Sequence, residues 1–174
     1  MTTPTAIPAA WDLREALWAL TAVPAPARER CLLCTVGQAR LALPIACLRS
    51  VEPYEAVTPL PHVPAWVRGV TNVRGTVVGV VDLAAFLGLG EAASAAGRLL
   101  VCGAGQRLIA LAVVDAREVL DYASTALLPV AGPLAAGAGR RGERYVSALV
   151  PTDDSAVPLL DLERLLADDE LVTG

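Results

Sequence analysis

Apolar residues along this chain recur mostly in short runs with a period near two, the spacing of strands rather than helices. Residues 31–36 (CLLCTV) and 40–46 (RLALPIA) form a first pair, joined through Gly37 and Gln38 as a hairpin, and residues 48–54 add a further extended piece. Residues 69–87 (GVTNVRGTVVGVVDLAAFL) run an apolar arm into a turn of Asn72, Val73, Arg74 and Gly75. A second apolar arm follows, and Asp82 then opens a Leu-rich helical turn. Gly75 sits where a tight turn needs positive φ. Strands resume over 99–102 and 107–114, with REVLDY at 117–122 behind them. Residues 145–150 and 156–160 supply the last two strands, and residues 161–167 a terminal helix.

The breaks between these runs are as legible. Residues 1–10 are rich in Thr, Pro and Ala. Residues 12–20 (DLREALWAL) then predict a helix, with Asp12 and Glu15 spaced as a capping box and Pro24 and Pro26 closing it. Trp11, Leu17, Trp18 and Leu20 give that helix a large apolar surface that has to be buried somewhere. Residues 56–66 (AVTPLPHVPAW) carry prolines at 59, 61 and 64, which exclude a central strand and predict an extended crossing loop. Residues 88–98 and 129–144, rich in Gly and Ala, are connectors.

Two parts of the chain repeat each other. Residues 68–87 lie over residues 147–166 without a gap, matching Val70 with Leu149, Val78 with Val157, Val80 with Leu159, Asp82 with Asp161 and Leu87 with Leu166. A weaker match sets residues 41–54 over 109–122, aligning Leu43 with Leu111, Val51 with Val119 and Tyr54 with Tyr122. The shared features are the apolar alternation and the Asp before a Leu-rich turn, so Asp82 and Asp161 are expected as helix caps. The turns differ: Asn72, Val73, Arg74 and Gly75 in one copy, Pro151, Thr152, Asp153 and Asp154 in the other. Many sequences close a hairpin, so an Arg carried on one of them is available to a partner. Asn72 and Gly75 are expected to shape the turn itself.

Composition narrows the function. With 174 residues the chain can bury one substantial core or two smaller ones. The hydrophobic fraction is 55%, but the longest aliphatic run, residues 108–114, is of strand length and far short of the ~20 residues of a membrane helix. The N-terminus lacks a basic start and an apolar core, so a cytoplasmic protein without membrane insertion is expected. A net charge of -4, with its arginines scattered, argues against nucleic acid as a partner. Cys31 and Cys34 form the one CxxC pair, but no second ligand pair accompanies it and positions three apart on a strand face opposite sides. They are expected as ordinary buried thiols, and with Cys47 and Cys102 the only other cysteines, no metal and no cofactor is expected. His62 lies alone in the Pro-rich loop, with no nucleophile and orienting acid marked beside it. The turn at Gly103, Ala104 and Gly105 has neither the Lys of a phosphate-binding loop nor a helix behind it.

GVTNVRGTVVGVVDL resembles the signature of the CheW-like domain: Gly, two residues, Asn, an aliphatic residue, Arg and Gly, then an apolar strand ending in Asp-Leu. The likeness runs from about residue 31 to about residue 167 and takes in the lead-in PLPHVPAWVRG and the REVL segment. It implies a mostly β fold of two pseudo-repeated five-stranded β-barrel subdomains packed together, with short helices. Residues 1–30 are then an N-terminal extension, residues 31–167 the domain, with two interleaved subdomains roughly centred on 36–90 and 99–166, and residues 168–174 a tail. The resemblance further implies a non-enzymatic adaptor that couples a chemoreceptor signalling tip to the regulatory domain of a histidine kinase. The motif arginine, matched by Arg74, is implied in receptor binding at a groove between subdomains, with Ile45, Leu48 and Val119. Gly69 and Gly75 are implied in shaping the barrel and its kinase-facing edge.

The chain departs from the family pattern at Gly79, where Pro is usual, at Ala84 and Ala148, and at Ser50, where a Glu beside the groove is common. These departures bear on the partner more than on the fold, and a divergent adaptor of a pilus-motility or other non-flagellar array fits them too. Two readings from other classes compete. One is a hydrolase or transferase using Asp82 or Asp161 with Ser or Thr groups, which capping explains more simply. The other is a small-molecule-binding barrel, which the Val and Leu arms argue against by filling the interior.

Overall fold

The structure, a computed structural model, describes residues 27–90, 97–104, 107–130 and 140–173. The helix expected over residues 12–20 lies outside the described residues. The strands, in chain order, are β1 (Arg28–Val36), β2 (Ala39–Pro44), β3 (Leu48–Pro53), β4 (Val67–Val73), β5 (Thr76–Asp82), β6 (Arg98–Ala104), β7 (Arg107–Val113), β8 (Asp115–Ala123), β9 (Val146–Pro151) and β10 (Ala156–Leu160). The short helices are α1 (Leu83–Leu87) after β5, α2 (Arg140–Glu143) before β9, and α3 (Leu162–Leu166) and α4 (Glu170–Thr173) after β10. The strand expected over 40–46 stops at Pro44, which has no amide hydrogen to carry the ladder on, and residues Ile45–Cys47 make a 3-10 turn into β3.

Two five-stranded sheets result, ordered β8-β1-β2-β10-β9 and β3-β6-β7-β5-β4. Under the duplication β1 to β5 correspond to β6 to β10, and each strand of one sheet has its counterpart at the same place in the other. The sheets interleave the two halves of the sequence. Each repeat gives its first two strands to one sheet and its last three to the other, through the parallel pairs of β2 with β10 and of β5 with β7. A segment beyond one outer strand of each sheet then returns to the opposite outer strand. Thr58 and Val70 exchange backbone hydrogen bonds of 2.8 and 2.9 Å, and Leu128 and Leu149 exchange two of 2.9 Å.

This exchange makes three cores. On β1, Cys31 and Leu33 face a cluster with Val150, Val157 and Leu159 inside the first sheet. On β6, Leu99 and Val101 face one with Val78 and Val80 inside the second. The alternate residues, Leu32, Cys34, Leu100, Cys102, Leu111 and Val81, meet in the large cluster between the sheets. Strands covered on both faces carry near-continuous apolar runs, which accounts for segments such as CLLCTV and for the high apolar fraction. Cys31 and Cys34 do point to opposite faces, and burial pushes the Cys102 thiol up to about 12 and that of Cys34 higher still.

The C-terminal end enlarges the picture further. Residues 168–174, expected as a tail, include α4, whose Leu171 is fully buried in the central cluster. The connector over 129–144 includes α2, whose Arg141 stacks 4.7 Å from the Trp66 ring and 5.2 Å from that of Phe86 while pairing with Glu170 at 3.3 Å. Trp66 and Tyr145 pack on Phe86 from two sides, each at 5.7 Å between ring centroids. They hold equivalent places in the repeats: the Asp82 amide donates to the Trp66 carbonyl at 2.7 Å, and the Asp161 amide to that of Tyr145 at 2.6 Å.

Candidate partner-binding site

The β4–β5 hairpin closes on two residues, Arg74 at φ 51° and Gly75 at φ 87°. A two-residue connection matching the strand twist needs positive φ at both central positions. Gly75 has the positive φ expected of it, and Arg74 shares the left-handed conformation, at a cost of ~1–2 kcal/mol for an L-residue with a side chain. The Asn72 side-chain oxygen accepts from the Gly75 amide at 2.7 Å and holds the tip. Gly69, at φ 136°, answers a different need: a Cβ there would overlap the carbonyl of Thr58, the residue whose bridge to Val70 ties the crossing loop to β4.

At the tip, the Arg74 guanidinium stands 80% exposed and pairs at 3.2 Å with Glu52, which is 26% exposed on β3. Two clefts share Arg74 as a wall. One, of about 500 Å3, is bounded by Arg49, Ser50 and Thr76 over Val101 and Leu108. The other, of about 280 Å3, is bounded by Glu52, Glu55, Thr71 and Asn72 over Leu99. Two cations, Arg49 and Arg74, two acids, Glu52 and Glu55, and the hydroxyls of Ser50, Thr71 and Thr76 thus surround apolar floors, a mix of polar groups that can meet the side chains of another protein.

Neither cleft includes Ile45, Leu48 or Val119. Leu48 opposes Cys102 and Val51 opposes Leu100 on the face toward the central core, whereas Ser50 and Glu52 oppose Val101 and Leu99 on the other face of the sheet. Val119, 53% exposed on β8, opposes Leu32 of the central core, and Ile45 packs against the same core. The four residues implied as one groove thus fall on two adjoining surfaces, divided by β3. Two members were missed in the sequence: Glu52, the acid beside Arg74, and Val51, 43% exposed beside Leu48. A register shift between Leu48 and Ser50 decides which β3 residues face which way, and the polar alternation at Ser50 and Glu52 was the one available signal.

The two aspartates cap their helices. An Asp82 oxygen accepts from the Ala85 amide at 3.0 Å, and an Asp161 oxygen from the Arg164 amide at 2.9 Å. Their surroundings differ. Asp82 is fully buried, and its second oxygen takes the Arg68 Nε and Nη2 donors at 3.0 and 2.6 Å, whereas the residue equivalent to Arg68 is Ser147. The Asp82 carboxylate is thus engaged by the Arg68 side chain and the Ala85 amide, bonds that hold the fold together and involve no Ser, Thr or His. Among the described residues no His, Cys, Asp and Glu group could hold a metal ion, and no helix is long and apolar enough to cross a membrane. His62 is exposed in the Pro-rich turn at φ 57°.

A family model described as the CheW-like domain matches residues 30–170. Among relatives, chemotaxis protein CheW of Klebsiella aerogenes is 26% identical over 141 residues, covering 80% of this chain and 82% of its own length. A probable chemotaxis protein CheW of Rhizobium etli is 26% identical over 135 residues, covering 78% and 85%. The crystal structure of scaffolding protein TtCheW from Thermoanaerobacter tengcongensis matches with a TM-score of 0.70 at 20% identity, over 86% of this chain and 95% of that one, a likeness of fold. With the doubled five-stranded sheets, the NVRG hairpin and a family match over most of its length, this chain belongs to the CheW-like domain family.

Proposed function

We propose that this protein is a non-enzymatic cytoplasmic adaptor that couples a chemoreceptor to a histidine kinase. It would bind the receptor's signalling tip and the kinase's regulatory domain. The observation that carries the receptor half is Arg74: a side chain held 80% exposed on a turn that would form more easily without it, over clefts with apolar floors. A residue kept in a costly conformation at an exposed tip favours a role in contact. The adjoining surface of Ile45, Leu48, Val51 and Val119 supplies apolar area for the same partner, with Arg74 as the directional contact. In this reading the Thr58–Val70 and Leu128–Leu149 bridges close each sheet into a small barrel, Gly69 and Gly75 keep the barrel edge in shape for the kinase, and the helix over 12–20 is an added element.

Reconstitution tests the proposal. The full chain, a soluble receptor signalling-tip fragment and the kinase regulatory domain are mixed and followed by size-exclusion chromatography and calorimetry. A ternary complex in which this chain bridges the other two is expected. Binding to neither partner by the folded protein overturns the adaptor reading.

A further inference from the structure

An apolar groove of about 260 Å3 opens between the β1–β2 turn, the end of α1, α2 and the start of β10. Its walls include Leu41, Leu87, Leu89, Val146, Pro158 and Leu160, and the one charged residue among those lining it is Arg40, 56% exposed at its rim. It lies away from Arg74, and none of its lining residues belongs to the clefts of the hairpin tip. Apolar walls left in water are costly, and a groove of this size accepts one or two anchoring side chains rather than a whole helix.

We propose that residues 11–20 of the same chain cover this groove in cis, with an indole of Trp11 or Trp18 as the anchor. The chemistry matches. The segment WDLREALWAL brings Trp11, Leu17, Trp18 and Leu20 as apolar groups for the apolar walls, and Asp12 and Glu15 as acids that would add to the one Arg40 already meets at the rim, Glu118 at 3.4 Å. The length matches as well. From Arg28 the β1 strand runs to the turn before Ala39, and its eight steps to Val36 at ~3.3 Å each put the groove ~26 Å from the start of β1. Residues 21–27 (TAVPAPA), held extended by their two prolines at ~3.1 Å per residue, span ~22 Å. A helix over 12–20 then covers a further ~13 Å, which brackets that distance. The inference is independent of the adaptor reading, since it concerns contacts within one chain.

Hydrogen exchange of the full chain, read peptide by peptide, decides it. In the unaltered protein the amides of residues 12–20 should exchange at least tenfold more slowly than in an Ala156→Arg variant, whose added side chain fills the groove from an exposed position at the start of β10. The tryptophan emission of that variant should move to longer wavelength. The double variant Trp11→Ala/Trp18→Ala, which leaves the barrel sequence untouched, should likewise release residues 12–17 and raise exchange in peptides spanning 155–160, and it serves if Ala156→Arg does not fold. Exchange of residues 12–20 at the free-peptide rate overturns the proposal. So does protection that survives in both variants, or protection that grows with protein concentration, the mark of a second copy in the groove.

Discussion

Replacing Arg74 by Asn separates what the hairpin tip does for the fold from what it does for a partner. At φ 51° Arg74 carries ~1–2 kcal/mol of left-handed cost, and Asn, whose short side chain tolerates this region, removes much of it. The substitution also removes the pair with Glu52 at 3.2 Å. With Arg74 80% exposed, such a pair contributes only ~0.2–1 kcal/mol. The two effects oppose each other and are similar in size, so folding stability should stay within ~1 kcal/mol of the original. For a chain of this length that is a Tm change of no more than ~4 °C. Binding should behave differently: loss of a central cationic contact over a desolvated floor costs ~2 kcal/mol, a roughly thirtyfold rise in Kd. Scanning calorimetry and titration against a soluble receptor signalling tip measure both quantities on one preparation, with Arg28→Glu at the start of β1 as the control. A folded Arg74→Asn variant that binds with the original Kd refutes the role of Arg74. A loss of more than ~2 kcal/mol in stability refutes the balance of strain against ion pairing.

The duplicated aspartates give an internal comparison. Asp161→Ala should cost ~1 kcal/mol, the value of a helix cap, whereas Asp82→Ala should cost ~2–3 kcal/mol because it also removes the two charge-assisted hydrogen bonds from Arg68, whose own side chain is 39% exposed and can be solvated once released. Equal losses in urea denaturation would contradict that difference. Tyr145 contributes to the alkaline limb of stability alongside the buried Cys34 and Cys102 thiols: burial, with its hydroxyl donated to Asp168 at 2.5 Å, pushes it up to about 12. Its contribution is fully present below the unfolded value of ~10 and is lost as pH rises from there through about 12. Tyr145→Phe should therefore flatten the fall of Tm between pH 10 and 12, and an unchanged alkaline limb would refute the assignment. Asp168, held below the usual carboxylate range by the same hydrogen bond, contributes on the acid side, present above ~3.9 and lost as pH falls below it.

Local chemistry was legible in the sequence wherever it needed no distant partner. Alternation marked the strands, prolines marked the crossing loop, Asp before Leu marked two capped helices, and the repeat marked a doubled β fold in which Arg74 stood apart from the shared scaffold. These features follow from residues within a few positions of one another, where backbone sterics and capping bonds decide the outcome. Tertiary structure decided what depends on pairing between distant strands. It sends the last three strands of each repeat to the other sheet, because the parallel pairs β2 with β10 and β5 with β7 are set by packing on both faces and leave no mark in a single strand. The register shift on β3 turned Glu52 toward Arg74 and left Leu48 and Val51 on the neighbouring surface. The conformation of Arg74 was hidden for the same reason: the two-residue closure of the hairpin, visible only once Val73 is seen opposite Thr76, requires positive φ of Arg74 as well as of Gly75.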